Sequence, residues 1–266
     1  MPRALFLCCA TLVATTGCVP LRSHLFDISV QAVQSELDGT IQFSDDVIPG
    51  TQIDVVEVLD IERDENIVAY TASVSLGTVT LELEYADAEY EGDTTLTETI
   101  TFLGQTFTVN ADVESRLEGK MLGGKVNFGL FGTEQQAGEP GFVVGGSLGL
   151  QYMELTAEIV STAPLSLREE DTERVLFPIV GAFVRIDQPV SGDVMLFLEC
   201  GANGVDISNS DANGTFLDAT ARVGVVVNEM FTVGGGYRHR KVDFQIDDDD
   251  VDVDIDGPFV FAELRF

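Results

Sequence analysis

The sequence predicts an all-β fold: an antiparallel up-and-down transmembrane β-barrel of about ten strands. Three observations lead to this prediction. Apolar and polar residues alternate with a period of two through most of the chain after residue 24, as expected for half-buried strands. The connections between these segments are short and long in strict alternation. In the clearest segments one face is fully apolar, and the charged residues share the other face with Gly, Ser and Thr.

The composition supports an all-β reading and excludes one class of partner. The 266 residues include 26 Gly but only 8 Pro and no Trp. Forty-five acidic residues oppose 14 basic ones, for a formal net charge of −31. Because nucleic acid phosphates must be neutralised by Lys and Arg, we expect no nucleic acid partner.

The first 18 residues are predicted to be a secretory signal peptide. Arg3 precedes a short apolar run at residues 4–13, and small residues lead to Cys18. The run is too short to span a bilayer. The segment ending at Cys18 resembles a bacterial lipobox, so lipidation of Cys18 and ordinary cleavage nearby are the two alternatives. Residues 24–266 then form the barrel domain, with Cys200 as its single cysteine and no disulfide framework.

Ten strands follow from the alternation, in order along the chain. They cover residues 26–37, 66–76, 79–91, 112–131, 142–159, 175–187, 192–204, 215–227, 230–245 and 257–266. The first strand has the weakest alternation, and without it and one partner the barrel would have eight strands.

The connections predict which ends of the strands lie together. The short ones cover residues 77–78, 132–141, 188–191 and 228–229, and the long polar ones cover 38–65, 92–111, 160–174, 205–214 and 246–256. An even number of strands with short turns at one end and long loops at the other is typical of barrels that cross an outer membrane.

The faces of the strands predict an inverted barrel, with lipid outside and a polar lumen. In the last strand Val260, Ala262, Leu264 and Phe266 form the lipid-facing side, and the charged residues between them face the lumen. Ten mid-strand charges are assigned to the lumen in this way. They are Glu82, Glu84, Lys125, Arg185, Glu199, Asp218, Arg222, Arg238, Glu263 and Arg265.

The predicted lumen is balanced although the chain is strongly acidic. Five of its ten charges are acidic and five are basic. Charges in a narrow barrel persist only when they are paired, and a ten-strand barrel is narrow enough for side chains to fill. We therefore expect a largely plugged lumen, with a narrow transport pore for small solutes as the alternative.

Several segments together resemble the small Gram-negative outer-membrane β-barrel proteins, a porin-like group. They are the signal segment, the Gly-rich paired strands, "VGGGYRHRKVDF" at residues 233–244 and the ending "FVFAELRF". The resemblance implies location in the outer membrane of a Gram-negative bacterium, among its lipids and lipopolysaccharide. It also implies that the final strand, ending in Phe266, is read by the barrel assembly machinery. Tyr70, Tyr85, Tyr152 and Tyr237 would replace Trp in the aromatic girdles.

The resemblance also raises the question of catalysis, since some such barrels are proteases or lipid A deacylases. His239 is the only candidate in the barrel strands, and no Ser stands two residues after it. We interpret it as an interfacial residue near lipopolysaccharide phosphate, together with Arg240 and Lys241. We therefore expect no enzyme, with a barrel enzyme acting on lipid or peptide as a less favoured alternative.

The densest acidic run, residues 247–256, is predicted to be a solvated external loop. The carboxylates of Asp247, Asp248, Asp249 and Asp250 could hold Ca²⁺ or Mg²⁺ loosely. No other cofactor is expected, because the sequence contains no phosphate-binding or zinc-binding motif. The sequence thus predicts a structural or surface-interaction role.

Overall fold

The computed structural model describes residues 25–45, 47–133, 139–163, 166–208, 212–246 and 248–266. The predicted signal peptide, Cys18 and Asp247 lie outside the described residues. No helix formed by the described residues is long and apolar enough to cross a membrane.

The regular structure of the described residues consists of antiparallel strands. They are β1 (Phe26–Gln42), β2 (Ile53–Asp54), β3 (Asp64–Leu76), β4 (Val79–Thr95), β5 (Ile100–Phe102), β6 (Gln105–Phe107), β7 (Asp112–Thr133), β8 (Gly141–Ala163), β9 (Leu167–Ser191), β10 (Val194–Ser208), β11 (Ala212–Val227), β12 (Phe231–Ile246) and β13 (Asp249–Arg265).

Ten of these strands form a closed ring. Its order is β1-β3-β4-β7-β8-β9-β10-β11-β12-β13, and β13 pairs with β1 to close it. The short strand β2 adds to β1, and β5 and β6 form a separate hairpin. The prediction of an all-β, up-and-down barrel of ten strands is confirmed. The weakly patterned first strand is a full member of the ring, so the eight-strand alternative is wrong.

The chain terminus takes part in closing the ring. In the β1–β13 pair, Ala32 lies opposite Val260 and Ile28 opposite Leu264. The backbone N–H of Phe266 donates to the carbonyl of Phe26 at 2.8 Å, and its own carbonyl accepts from Leu25 at 3.0 Å. The last residue is therefore held at the seam.

The upper end of the barrel is defined here as the end opposite the short turns 77–78, 192–193 and 228–230. At this end the strands are longer than predicted from the sequence. Three predicted long loops, 160–174, 205–214 and 246–256, consist mainly of strand residues. In the acidic run Val251 and Val253 point inward and are buried, whereas Asp250, Asp252 and Asp254 point outward. The loop prediction was wrong because charge density was given more weight than the unbroken period of two.

The outward face of the ring changes polarity along its height. The lower part of this face is apolar, and we call it the belt. The upper part is polar, and we call this part of the molecule the upper barrel. A row of outward polar residues separates the two, called the boundary row: Glu36, Asn66, Asp87, Lys120, Glu154, Arg174, Asp206, His239 and Asp256. From Asp87 to Arg174 its members are direct register partners.

Aromatic residues edge the belt on both sides. Tyr70, Tyr85, Tyr152 and Tyr237 lie on the outward face next to the boundary row. At the lower rim, Phe131, Phe142, Phe231 and Phe266 are 42–65% exposed. The tyrosines and phenylalanines thus occupy the positions that Trp and Tyr usually take in aromatic girdles.

The interior changes polarity in the opposite sense. At belt level it holds the charged side chains described below, together with buried aromatic rings such as Phe197 and Phe261, whereas the upper barrel has an apolar core that includes Leu37, Phe216 and Val251. The predicted loops 38–65 and 92–111 fold over this core. They contribute side chains that are at most 1% exposed: Phe43, Ile53, Val55, Leu59, Leu96, Ile100, Phe102 and Phe107. The upper barrel therefore has the polarity of a water-soluble barrel, set on a lower part of inverted polarity.

Candidate functional site

The lumen at belt level brings together the charges assigned to it from the sequence. All ten lie on inward-facing strand positions, and nine of them, all except Arg265, line one cavity of ≈ 120 Å³. The period of two positions them, because every second residue of each strand points inward.

The first cluster connects β4, β11 and β12. Arg238 donates from Nη2 to Glu84 Oε1 at 2.7 Å and from Nε to Asp218 Oδ1 at 2.9 Å. Arg240 reaches the same two carboxylates, at 3.1 and 3.0 Å from its Nη2. Two guanidinium groups thus share two carboxylates, and each charge faces opposite charges on both sides.

The second cluster connects β9, β10 and β11. Glu199 accepts from Arg185 Nη1 at 3.2 Å and from Arg222 Nη2 at 2.6 Å. Arg185 also donates to Asp187 at 2.9 Å. The Arg185 guanidinium lies 4.3 Å from the centre of the Phe197 ring, close enough for a cation–π contact.

The remaining predicted charges form two pairs. Lys125 Nζ lies 2.9 Å from Glu82 Oε1, and Asn127 donates to the other oxygen of Glu82 at 3.0 Å. Arg265 Nε donates to Glu263 Oε1 at 2.6 Å, with both side chains at most 5% exposed. The structure therefore places each of the ten charges beside an opposite charge.

Sequence reasoning missed three further charges of the lumen: Asp27, Asp187 and Arg240. Asp187 and Arg240 stand two residues from Arg185 and Arg238, so the period of two already put them on the inward face. The interpretation of Arg240 as an external residue was wrong, since its side chain is 5% exposed and ion-paired inside. Asp27 accepts a hydrogen bond from Ser73 at 2.7 Å.

The β1–β3 side of the cavity is lined by hydroxyl groups. The Ser29 and Thr71 hydroxyls are buried and have no hydrogen-bond partner among the described residues. A polar cavity of this size is suited to hold ordered water that bridges such groups. The charge network is thus bordered by polar hydroxyl groups on its β1–β3 side.

His239 and Lys241 lie on the outer face, not in the lumen. His239 Nδ1 lies 2.5 Å from Asp256 Oδ1, and the His239 side chain is 38% exposed. Lys241 Nζ lies 2.6 Å from Asp252, and this hydrogen bond is the main cause of a raised pKa for Lys241. The residue opposite His239 on β11 is Ala219, so neither strand neighbour offers it a hydroxyl nucleophile.

Of the four aspartates considered for cation binding, the three that the structure describes do not converge. Asp249 faces inward and accepts a hydrogen bond from the Ser44 amide at 2.6 Å, whereas Asp250 faces outward. Asp248 lies in the turn before β13. Asp249 instead approaches two acids of β9, Asp171 and Glu173, with one oxygen of each within 4.8 Å of the others.

The four positions of the terminal strand pattern face outward. Val260, Leu264 and Phe266 are 64%, 50% and 65% exposed, and Ala262 is also exposed. This places them on the belt, in line with the predicted lipid-facing side.

No family model matches the chain, and no curated protein matches it. Its fold is similar to that of three solved bacterial proteins. The outer membrane protease OmpT from Escherichia coli has a TM-score of 0.48 and 7% identity, over 95% of this chain and 99% of that one. The translocator domain of the autotransporter NalP from Neisseria meningitidis has a TM-score of 0.44 and 13% identity, over 92% and 90%. The transport unit of the autotransporter AIDA-I from Escherichia coli has a TM-score of 0.43 and 11% identity, over 98% and 97%. The barrel assignment rests on the strand register of the present chain.

Proposed function

We propose that the chain is an integral outer-membrane barrel of a Gram-negative bacterium. In this proposal the ion-paired network closes the lumen, and the upper barrel presents an acidic surface to the outside. Its role is structural or surface-interacting. The observation that carries the proposal is the change of polarity of the outer face at the boundary row, below which the face is apolar and the interior holds the ion-paired charges.

The height of the belt supports insertion in a membrane. On β8 the belt runs from Phe142 to Tyr152. At about 3.3 Å per residue and a strand tilt of about 40°, this segment rises roughly 25 Å, the height of the apolar band in outer-membrane barrels. A water-soluble protein has no reason to expose so continuous an apolar surface around its whole circumference.

The packing of the lumen supports a closed barrel rather than a pore. The network charges are paired, most of them across strands and Glu263 with Arg265 within β13, and their side chains are 3–25% exposed. Above them the barrel is filled by the apolar core, which a hydrated ion does not cross readily. The narrow-pore alternative would require the ≈ 120 Å³ cavity to connect with water at both ends.

The outer face suggests how the protein meets lipopolysaccharide. The outward cations near the boundary row, Lys120, Arg174 and Lys241, are each paired with a carboxylate. Direct binding of lipid phosphates is therefore weak in this proposal, and Ca²⁺ or Mg²⁺ ions would bridge phosphates to the acidic surface. A role as an enzyme is not proposed, because the strand partners of His239 are Ala219 and Asp256, neither of which carries a hydroxyl nucleophile.

Migration on a detergent gel tests the proposal. A folded membrane barrel resists the detergent and migrates differently before and after boiling, and it should co-float with lipid vesicles. A chain that stays in the aqueous fraction and migrates identically in both states would contradict membrane insertion.

A further inference from the structure

The wall of the barrel has a break between β9 and β10. The two strands are paired only from Ser191 and Val194 up to Val180 and Gly204. Above that point Leu167–Ile179 of β9 pairs with β8 on one side only. The top of β10, from Val205 to Ser208, pairs with β11 alone. Within the described residues, the facing edges of β9 and β10 therefore have no ladder partner above Val180 and Gly204.

A second place where pairing ends early shows how the chain closes such a break. Pairing between β3 and β4 stops at Val68 and Asp87. There the preceding connection fills the space: Ile61 bridges to Gly92, and the Glu62 amide donates to the Glu91 carbonyl at 2.9 Å. Within the described ranges no backbone pairing of this kind joins the upper part of β9 to β10.

The β9–β10 break begins inside the belt. The outward residues Val180 and Leu176 on its β9 edge are 58% and 55% exposed, and Arg174 marks the boundary row just above. Pro178 lies between them. Proline has no N–H to donate, so it is tolerated on an unpaired strand edge. The break thus connects the apolar outer surface with the interior.

The ring of Phe177 fills the inner side of the break. Phe177 is 1% exposed and stacks on Phe216 of β11, with ring centroids 5.6 Å apart and an interplanar angle of 25°. A Cβ atom at Gly214 of β11 would lie 3.1 Å from the Phe177 ring. The side chain therefore reaches past β10 and rests against the backbone of β11.

Behind Phe177 lies the apolar core of the upper barrel. It contains a cavity of ≈ 30 Å³ whose lining includes Met121, Met153, Val175 and Phe244. Methionine side chains are flexible and adapt to different occupants. Met153 is thus the adaptable part of this lining, whereas the sulfur of Met121 accepts a hydrogen bond from Arg240 Nη1 at 2.7 Å.

We propose that the break is a lateral opening through which the acyl chain of a membrane lipid enters the apolar core. The Phe177 ring closes the opening and moves aside when the chain enters. The acyl chain is the fitting occupant because the break is continuous with the belt and apolar residues line the way inward. The inference rests on the proposed insertion in a membrane.

The absence of Trp from the sequence allows a direct test with single-Trp variants. Phe177→Trp reports on the opening. Phe259→Trp is the matched control. Phe259 is also buried and also lies three residues from the boundary row, but its strand is paired with β1 on one side and β12 on the other at this position. Leu148→Trp reports on the belt, where Leu148 is 47% exposed. Each full-length variant is reconstituted into phosphatidylcholine vesicles with brominated acyl chains, which quench Trp fluorescence on contact.

The proposal predicts strong quenching of both Leu148→Trp and Phe177→Trp, and weak quenching of Phe259→Trp. Equal, weak quenching of Phe177→Trp and Phe259→Trp, with strong quenching of Leu148→Trp, would overturn the lateral opening and leave the membrane barrel intact. Failure of Leu148→Trp to be quenched would overturn membrane insertion itself, and the opening with it.

A second measurement uses no Trp at the opening, so that its result does not depend on any disturbance of the fold by Phe177→Trp. Spin-labelled stearic acid is added to the Trp-free natural chain and to Phe177→Ala, with Phe259→Ala as the control. Phe177→Ala should immobilise more of the probe than the natural chain, because the closing ring is removed. The opening is excluded if both alanine variants immobilise the same amount as the natural chain.

Discussion

Each buried charge of the lumen depends on its partners. Arg238 and Arg240 share Glu84 and Asp218, whereas Lys125 and Glu82 form a simpler pair with Asn127 beside it. Removing one member of a buried pair leaves a charge without compensation, while removing both can cost far less. Lys125 and Glu82 are therefore the pair to test.

We predict that Lys125→Met destabilises the barrel by about 3–5 kcal/mol, because the Glu82 carboxylate then stays buried without its cation. Glu82→Gln combined with Lys125→Met should recover most of the loss. The measurement is the free energy of unfolding from urea titrations in detergent micelles. A double variant as unstable as Lys125→Met would show that the unpaired Glu82 charge is not the cause of the lost stability.

Like charges face each other on the outside of the upper barrel. Asp243 of β12 lies directly opposite Asp252 of β13. Partial burial, and then the neighbouring Asp252 carboxylate, raise the pKa of Asp243 above its usual 3.8. A carboxyl with a raised folded-state pKa favours folding while protonated, and this contribution is lost as the pH rises through that pKa.

Asp243→Asn should therefore stabilise the upper barrel at neutral pH, by about 0.2–1 kcal/mol for one cross-strand pair. The gain should disappear at a pH below the usual carboxyl pKa of 3.8, where the Asp243 side chain is itself protonated and neutral, and it should shrink in high salt. The measurement is the temperature at which the folded band disappears from a detergent gel, taken at neutral pH and at a pH below the usual carboxyl pKa. A gain that persists in acid would point to a cause other than charge repulsion.

At the scale of one element, β13 shows how a single strand serves two environments. Its outward residues are Asp250, Asp252, Asp254 and Asp256 in the upper barrel, then Pro258, Val260, Ala262, Leu264 and Phe266 in the belt. Both halves keep the same period of two and the same register with β1. What changes is the chemistry of each face, and it changes within two residues.

We predict that Ala262→Arg prevents stable insertion, since Arg on the lipid face near the middle of the membrane costs about 2–4 kcal/mol. Asp250→Arg is the matched control on the same outward face of β13, in the part exposed to water, and should insert normally. The fraction of chain that floats with vesicles checks both. Normal flotation of Ala262→Arg would place the membrane elsewhere on the molecule.

At the scale of the whole molecule, the sequence predicted the ring and the lumen better than the upper barrel. Alternation and short turns were enough to place the ten strands, because a period of two fixes which residues share a face. The run at residues 247–256 appeared as a loop, since its valines become a core only when opposing strands cover them. The break above Val180 left no local signal except Pro178, because pairing depends on the neighbouring strand.

A membrane barrel whose lumen is closed by paired charges should not conduct ions. Planar-bilayer recording on the full chain tests this, with insertion verified by heat-modifiable migration of the same preparation. We predict no steady conductance from the natural chain, because in the proposed closed barrel the ion-paired network and the apolar core block the passage of ions. Steady open events from correctly inserted protein would contradict the closed lumen and favour a narrow transport pore.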